Sequence, residues 1–111
     1  MPRVAVVTGA GSGVGRATAI ALAERGWSVA LLARRPESLA ETIKLAKPRD
    51  GGRLLACPCD VSDEKAVFDV AKRVRQELGL AEALVNSAGT NLPKRDLENL
   101  EIQGFRDRKV I

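Results

Sequence analysis

The chain has 111 residues, a length that supports one small domain with a core of its own but not two. Its content of 45% hydrophobic and 29% charged residues is typical of globular proteins, and no apolar stretch approaches the roughly 20 residues of a membrane span. The net charge of +4 is concentrated in residues 1–53, which carry nine Lys/Arg and four Asp/Glu, against nine and ten in residues 54–111. Aromatic residues are rare and lie outside basic clusters, which argues against nucleic-acid binding.

The first residues run straight into an apolar segment and lack the hydrophobic region of a secretory signal, so we expect a cytosolic protein. Cys57 and Cys59 cannot complete a tetrahedral zinc site, because the chain contains no other cysteine and no histidine. We expect them to be buried structural thiols on opposite faces of an extended segment, which disfavours a mutual disulfide.

Apolar segments that resemble strands alternate along the chain with amphipathic segments that resemble helices. Strands are expected at about residues 3–8, 28–33, 53–57 and 83–85. This alternation predicts an α/β fold, the first half of a Rossmann-type doubly wound parallel sheet with connectivity βαβαβαβ and strand order 3-2-1-4. Residues 1–92 are predicted to form this half-domain, and residues 93–111 an irregular or weakly helical tail.

The helices are predicted from the spacing of their apolar residues. Pro36 suits the first position of the second helix, and Ser62 is the expected N-cap of the third. Three apolar stripes are expected to face the core: Val14, Ala17, Ile20 and Ala21 in the first helix, Leu39, Ile43 and Ala46 in the second, and Val67, Val70, Val74 and Leu78 in the third.

A glycine-rich turn, TGAGSGVG at residues 8–15, follows the first predicted strand. Gly9 allows a sharp turn, Gly13 allows backbone N–H groups to approach a pyrophosphate, and Gly15 allows the helix to pack closely on the strand. The N-terminus of the helix then supplies N–H donors and a partial positive charge, which favour an anion. Glycines also occur at ordinary turns, so the motif alone leaves that alternative open.

Two arginines, Arg34 and Arg35, follow the second predicted strand, about 20 residues after the glycine turn. At this place an acidic residue would bind the ribose 2′-hydroxyl of NAD, whereas arginine accommodates the 2′-phosphate of NADP. A guanidinium group can bind phosphate with two hydrogen bonds and stack on adenine, so the pair predicts NADP. Two solvated arginines before a helix are the alternative.

Two further motifs follow the third and fourth predicted strands. Asp60 can accept a hydrogen bond from the adenine amine and Val61 can pack near the ring, although Asp60 could instead share a helix-capping role with Ser62. In Asn86-Ser87-Ala88-Gly89, small residues allow the backbone to approach a ribose, and Asn86 can connect neighbouring strands. Read alone, this second motif is only a turn.

Taken together, these motifs make residues 3–90 resemble the short-chain dehydrogenase/reductase family, classical type. The glycine turn resembles the family's Thr-Gly-x-x-x-Gly-x-Gly motif, Asp60 its adenine-binding aspartate, and residues 86–89 its Asn-Asn-Ala-Gly motif with one Asn replaced by Ser. The resemblance implies an oxidoreductase that prefers NADPH to NADH. The implied cofactor-binding residues are Gly9, Ser12, Gly13, Val14, Gly15, Arg34, Arg35, Asp60, Val61, Asn86, Ala88 and Gly89.

The chain departs from the family where catalysis is concerned. The family transfers hydride with a serine and a Tyr-x-x-x-Lys pair, but this chain contains no tyrosine, so no proton donor can be assigned. We therefore expect a truncated N-terminal half without catalytic residues, whose fourth strand is an exposed edge, and which is marginally stable or associates with a partner.

The alternative is a non-catalytic interaction module that pairs with full-length subunits. A methyl-donor-binding fold is disfavoured, because its ribose hydroxyls would need a carboxylate where the arginines lie.

Overall fold

Three helices and four strands alternate along the described part of the chain. The structure, a computed structural model, describes residues 2–87. The elements are β1 (Val4–Thr8), α1 (Gly13–Glu24), β2 (Ser28–Ala33), α2 (Pro36–Leu45), β3 (Leu54–Pro58), α3 (Glu64–Glu77) and β4 (Ala81–Asn86). Among these residues no helix is both long enough and apolar enough to cross a bilayer. The tail predicted for residues 93–111 lies outside the described residues.

The four strands form one parallel sheet in the order β3-β2-β1-β4, which confirms the predicted α/β fold and strand order. Strands that follow one another in a parallel sheet need a crossover connection, and here a helix supplies each one. β1 lies between β2 and β4, so the turn that follows β1 reaches solvent at the middle of one sheet edge. β4 is longer than the predicted 83–85, and its register with β1 is irregular next to Val4.

Each face of the sheet carries its own apolar cluster, because successive strand residues point to opposite faces. The face covered by α3 buries side chains of all four strands against Val67, Ala71 and Val74. The opposite face, covered by α1 and α2, is built around Val7, Leu31, Leu39 and other apolar side chains. Both faces are thus covered by helices, as a parallel sheet of continuous apolar strands requires.

The apolar stripe predicted for the first helix is wrong. α1 buries Gly15, Ala19 and Ala23, whereas Val14 is 74% exposed and Ala17 and Ala21 are exposed as well. The helix meets the sheet through its smallest residues because the backbone of α1 lies very close to the turn after β1. By contrast, the stripe predicted for the third helix does face the core, as do Leu39 and Ile43 of the second. Ala46 is the C-cap residue of α2 and is in neither core cluster, so this part of the predicted stripe is wrong.

Two local predictions around the third strand are also wrong. Asp63 is the N-cap of α3, with its Oδ1 accepting from the N–H of Ala66 at 3.2 Å, whereas the Ser62 hydroxyl bonds instead to Asp60. Cys57 and Cys59 are both buried in the cluster beneath α3, together with Leu55. Residues two apart in an extended chain share a face, so the expectation of opposite faces had the periodicity reversed. Both thiols are buried and free, as predicted.

Candidate functional site

A cleft of about 410 Å³ opens where β1, β2 and β3 end at the carboxyl edge of the sheet. Backbone hydrogen bonds to β2 hold its walls together: the N–H of Ala10 donates to Leu32 O at 3.0 Å, and the N–H of Cys59 donates to Ala33 O at 2.8 Å. The residues that line the cleft are Gly9, Gly11, Ser12, Leu32, Ala33, Arg34, Arg35, Ser38, Cys59, Asp60 and Val61.

One end of this cleft is the glycine turn between β1 and α1. Gly9 and Gly13 have positive φ angles of 63° and 55°, which L side chains rarely adopt, and this confirms the sharp turn. Around Gly13 there is open space where a Cβ would lie, whereas a Cβ on Gly15 would collide with the carbonyl oxygen of Gly9. Gly15 therefore allows the close packing predicted for it.

The first turn of α1 is suited to an anion. Its N-cap, Ser12, is in extended conformation and makes no capping hydrogen bond with its side chain, and the first turn holds no acidic residue. The first N–H groups of a helix have no partner within the helix, and the helix dipole adds a partial positive charge there. Because Ser12 lines the cleft, this end can accept a phosphate.

The other end of the cleft is formed by side chains from β2 and β3. A guanidinium nitrogen of Arg34 lies 3.6 Å from Asp60 Oδ1, and the two side chains are 75% and 44% exposed. The same Oδ1 accepts from the Ser62 hydroxyl at 2.7 Å and from the Ser62 N–H at 2.9 Å. These hydrogen bonds, with a smaller contribution from Arg34, hold the pKa of Asp60 below its usual value. Asp60 is therefore an ionised acceptor at neutral pH.

A hydrogen-bond network connects the end of β4 to β1 beside the glycine turn. The hydroxyl of Thr8, which is fully buried, lies 3.0 Å from Asn86 Oδ1 and accepts from the N–H of Ser87 at 3.0 Å. The Ser87 hydroxyl donates to the carbonyl oxygen of Thr8. This network confirms that Asn86 can connect neighbouring strands, whereas Ala88 and Gly89 lie outside the described residues.

The glycine turn is also bound to α2, through residues that the sequence did not single out. Arg16 and Thr42 hydrogen-bond to the turn's carbonyl oxygens and to each other. A Cβ on Gly11 would come within 2.6 Å of the Cβ of Ser38, so Gly11 marks a close approach of the turn to α2. Gly11, the one glycine of the turn to which no role had been assigned, was a signal for such an approach, but no sequence pattern predicted Arg16 or Thr42.

Half of the twelve predicted binding residues line one cleft: Gly9, Ser12, Arg34, Arg35, Asp60 and Val61. Gly13, Val14 and Gly15 lie at the start of α1 beside it, and Asn86 lies at the end of the neighbouring strand β4. Five further residues line the cleft without having been predicted from the sequence. They are Gly11, Ser38, Cys59 and, at the carboxyl end of β2, Leu32 and Ala33. Within residues 2–87 no group of three or more His, Cys, Asp and Glu side chains could hold a metal ion.

Comparison with known proteins agrees with this geometry. A sequence model of the short chain dehydrogenase family matches residues 3–108. The cis-4-hydroxycyclohexanecarboxylate dehydrogenase of Sinomonas cyclohexanicum is 41% identical over 106 residues, which are 94% of this chain and 41% of that protein.

Two solved structures are similar to this chain in both fold and sequence. L-Sorbose reductase from Gluconobacter frateurii, complexed with NADPH and L-sorbose, is 31% identical with a TM-score of 0.79, over 92% of this chain and 46% of its own. An alcohol dehydrogenase from Thermococcus sibiricus, complexed with 5-hydroxy-NADP, is 33% identical with a TM-score of 0.69, over 77% of this chain and 36% of its own. The chain spans less than half the length of each of these three proteins.

Proposed function

This chain belongs to the short-chain dehydrogenase family, and we propose that it binds NADP(H) in the cleft at the carboxyl edge of its sheet. The observation that carries the proposal is the placement of the uncapped N-terminus of α1 and of Arg34 and Arg35 around one open cleft. A dinucleotide with a 2′-phosphate carries negative charge at two places, and the cleft offers positive charge at both of its ends.

Within this proposal the pyrophosphate lies at the glycine turn and the adenosine lies between β2 and β3. Asp60 is ionised and accepts from the adenine amine, and Val61 packs near the ring. Gly13, Val14 and Gly15 lie at the pyrophosphate, and the end of β4, from Asn86 through Ala88 and Gly89, borders the second ribose. The cytosolic location inferred from the sequence is part of the same proposal.

The preference for NADPH over NADH depends on the two arginines after β2. In a protein that binds NAD, an acidic residue lies at this place and binds the ribose 2′-hydroxyl. Its carboxylate would repel a 2′-phosphate, whereas an arginine attracts one. Arg34 has a 75% exposed side chain, and Arg35 is the N-cap residue of α2, where the helix dipole also favours an anion. Two of the similar proteins were solved with NADPH or 5-hydroxy-NADP.

We further propose that these 111 residues do not transfer hydride by themselves. Hydride addition to a carbonyl leaves an alkoxide that needs a proton, and the sequence contains no tyrosine to donate it. What the cofactor supplies when bound is the hydride, and what the described residues supply is binding and orientation. A test is NADPH oxidation with the purified chain and a panel of aldehydes and ketones, in which turnover that depends on the chain would contradict this part.

Binding is tested by titrating the purified chain with NADPH and with NADH in a calorimeter. We expect NADPH to bind more tightly by about tenfold or more, because charge-assisted hydrogen bonds to the 2′-phosphate are strong. In the double variant Arg34→Ala/Arg35→Ala this preference disappears, while NADH binds as before. A matched control, Arg25→Ala/Arg49→Ala, also removes two exposed positive charges but leaves the cleft intact. Equal affinity of the wild type for both cofactors, or none for either, would overturn the proposal.

A second candidate function is a subunit that pairs with full-length members of the family. The observation that favours it is the position of β4, which within residues 2–87 pairs with β1 alone and leaves its other side open. An unprotected strand edge is a site for pairing with another chain. Light scattering of the chain, alone and mixed with a full-length relative, tests this candidate. A compact monomer in both samples argues against it.

A further inference from the structure

We propose that Arg16 and Thr42 are positioning residues that hold the glycine turn in the conformation that binds pyrophosphate. The inference rests on the proposed function, since it concerns how the same cleft receives the cofactor. It assigns a role to two residues that no motif of the chain had indicated. Neither side chain lines the cleft, so both act through the backbone of the turn.

Thr42 lies on the face of α2 that covers the turn, and its side chain is fully buried. Its hydroxyl donates to the carbonyl oxygen of Ala10 at 2.7 Å. The hydroxyl oxygen of Thr42 in turn accepts from Nε of Arg16 at 2.9 Å. A hydroxyl has one proton to donate and lone pairs to accept with, so both contacts can exist together.

Arg16, in the first turns of α1, continues this network to the next peptide of the turn. Its Nη2 donates to the carbonyl oxygen of Gly11 at 2.6 Å and to that of Ser38 at 3.1 Å. The guanidinium is planar with its donors in a fixed fork, so one side chain bridges the turn and α2. The close approach of Gly11 to the Cβ of Ser38 leaves little room for the turn to move toward α2.

Two consecutive carbonyl oxygens of the turn are therefore held by side-chain donors, that of Ala10 by Thr42 of α2 and that of Gly11 by Arg16 of α1. A carbonyl dipole that pointed into the cleft would repel a phosphate, whereas N–H groups attract it. Holding the carbonyls in place before the ligand arrives reduces the free energy needed to order the turn on binding. This is the physical basis of the assigned role.

The positive charge of Arg16 also favours an anion at the glycine turn. Among the described residues, the ion pairs join Arg34 to Asp60 and Arg73 to Glu77, and Arg16 is in neither. Its guanidinium is half-buried, and it donates to the carbonyl oxygens of Gly11 and Ser38 and to the hydroxyl of Thr42, all of them uncharged. A positive charge directly behind the turn adds to the attraction that α1 exerts on an anion in the cleft.

The experiment compares two probes that occupy different ends of the cleft, ADP and adenosine 2′-monophosphate. ADP carries the pyrophosphate that the turn would bind, and adenosine 2′-monophosphate carries only the phosphate that Arg34 and Arg35 would bind. We expect Thr42→Val to weaken ADP and NADPH by about tenfold and adenosine 2′-monophosphate by less than about twofold, since a buried hydrogen bond to the turn is lost. Thr42→Ser keeps the hydroxyl and is expected to bind all three ligands as the wild type does.

A second variant covers the case in which Thr42→Val does not fold. Arg16→Lys keeps the positive charge at a half-buried position but cannot bridge Thr42 and both carbonyls, and it is expected to weaken ADP selectively as well. Equal weakening of both probes would indicate a general structural role, and unchanged ADP binding would indicate none; either result overturns the inference. If the wild type binds neither NADPH nor ADP, the proposed function fails first, and this inference fails with it.

Discussion

The two ends of the cleft are built in different ways. At the glycine turn the site is backbone, closely packed against Gly15 and held by buried hydrogen bonds. Between β2 and β3 the site consists of long side chains that are largely exposed, and Arg34 meets Asp60 at 3.6 Å. The first arrangement cannot change without disturbing the fold, whereas the second can be altered one side chain at a time.

This difference has a consequence for recognition. Every dinucleotide contains the same pyrophosphate, so a rigid backbone site can serve all of them. The 2′ position distinguishes NADP from NAD, so exposed side chains after β2 can set the choice without altering the core. The turn is therefore expected to be sensitive in its stability, and the other end in its cofactor selectivity.

The largest effect is expected for Gly15→Ala. Its Cβ would collide with the carbonyl oxygen of Gly9 and lie 2.6 Å from the Ser87 hydroxyl, so the helix or the turn must shift. We expect a loss of about 3 kcal/mol in the free energy of unfolding, measured by urea denaturation. Gly13→Ala is the matched control: it has open space and only its positive φ to oppose it, at about 1 kcal/mol. Equal losses in the two variants would contradict the close packing.

The next largest effect concerns the pH dependence of stability, through the buried thiol of Cys57 in β3. Burial raises the pKa of the Cys57 thiol from its ordinary value of 9.0 to about 11, against a smaller opposing effect of Arg73. Below pH 9 both the folded and the unfolded chain keep this proton. Between pH 9 and 11 the unfolded chain loses it first, so stability falls, by about 2 kcal/mol over that window.

Cys57→Ala isolates the contribution of this thiol to the pH dependence of stability. The variant is less stable than the wild type at pH 8, because it leaves a cavity, but the difference between the two should narrow as the pH rises from 9 to 11. The free energies of unfolding of both proteins are measured across this range. A difference that stays constant with pH means that the thiol is not held protonated by burial.

A smaller effect is expected at the junction of β1 and β4. Thr8→Val removes the hydroxyl that accepts from the N–H of Ser87 and contacts Asn86, and we expect it to cost about 1–2 kcal/mol. Amide hydrogen exchange in residues 81–87 should accelerate, since this hydroxyl fixes the end of β4. Thr8→Ser keeps the hydroxyl and should leave that exchange near the wild-type rate. Unchanged exchange in the valine variant would show that the network does not fix β4.

The smallest effect is expected at the exposed ion pair. Asp60→Asn removes the charge that attracts Arg34 but keeps a carbonyl oxygen for the adenine amine. Since Arg34 then gives up no ion pair when it binds a 2′-phosphate, the preference for NADPH over NADH should rise by about two- to threefold. Asp63→Asn, at the cap of α3, is the control and should leave the ratio of dissociation constants unchanged. A reduced preference in the Asp60 variant would contradict the assignment of Arg34.

Much of this architecture could be predicted from the sequence because it depends on local order. The alternation of apolar strands with amphipathic helices predicts a parallel sheet, and the turn with its four glycines predicts where the sheet opens. The arginines after β2 and Asp60 after β3 could be placed in the same cleft, since the carboxyl ends of parallel strands share an edge.

The sequence by itself determined the elements, their order and the residues at the strand ends, because chain periodicity encodes which residues are apolar and where the chain turns. Only the tertiary structure decided which face of α1 is buried, since Gly15, Ala19 and Ala23 meet the sheet through close backbone approach rather than through large apolar side chains. It also decided the partners of Arg16 and Thr42, which are 26 residues apart in the chain. Such contacts depend on how two helices lie over one turn, and no local pattern records that geometry.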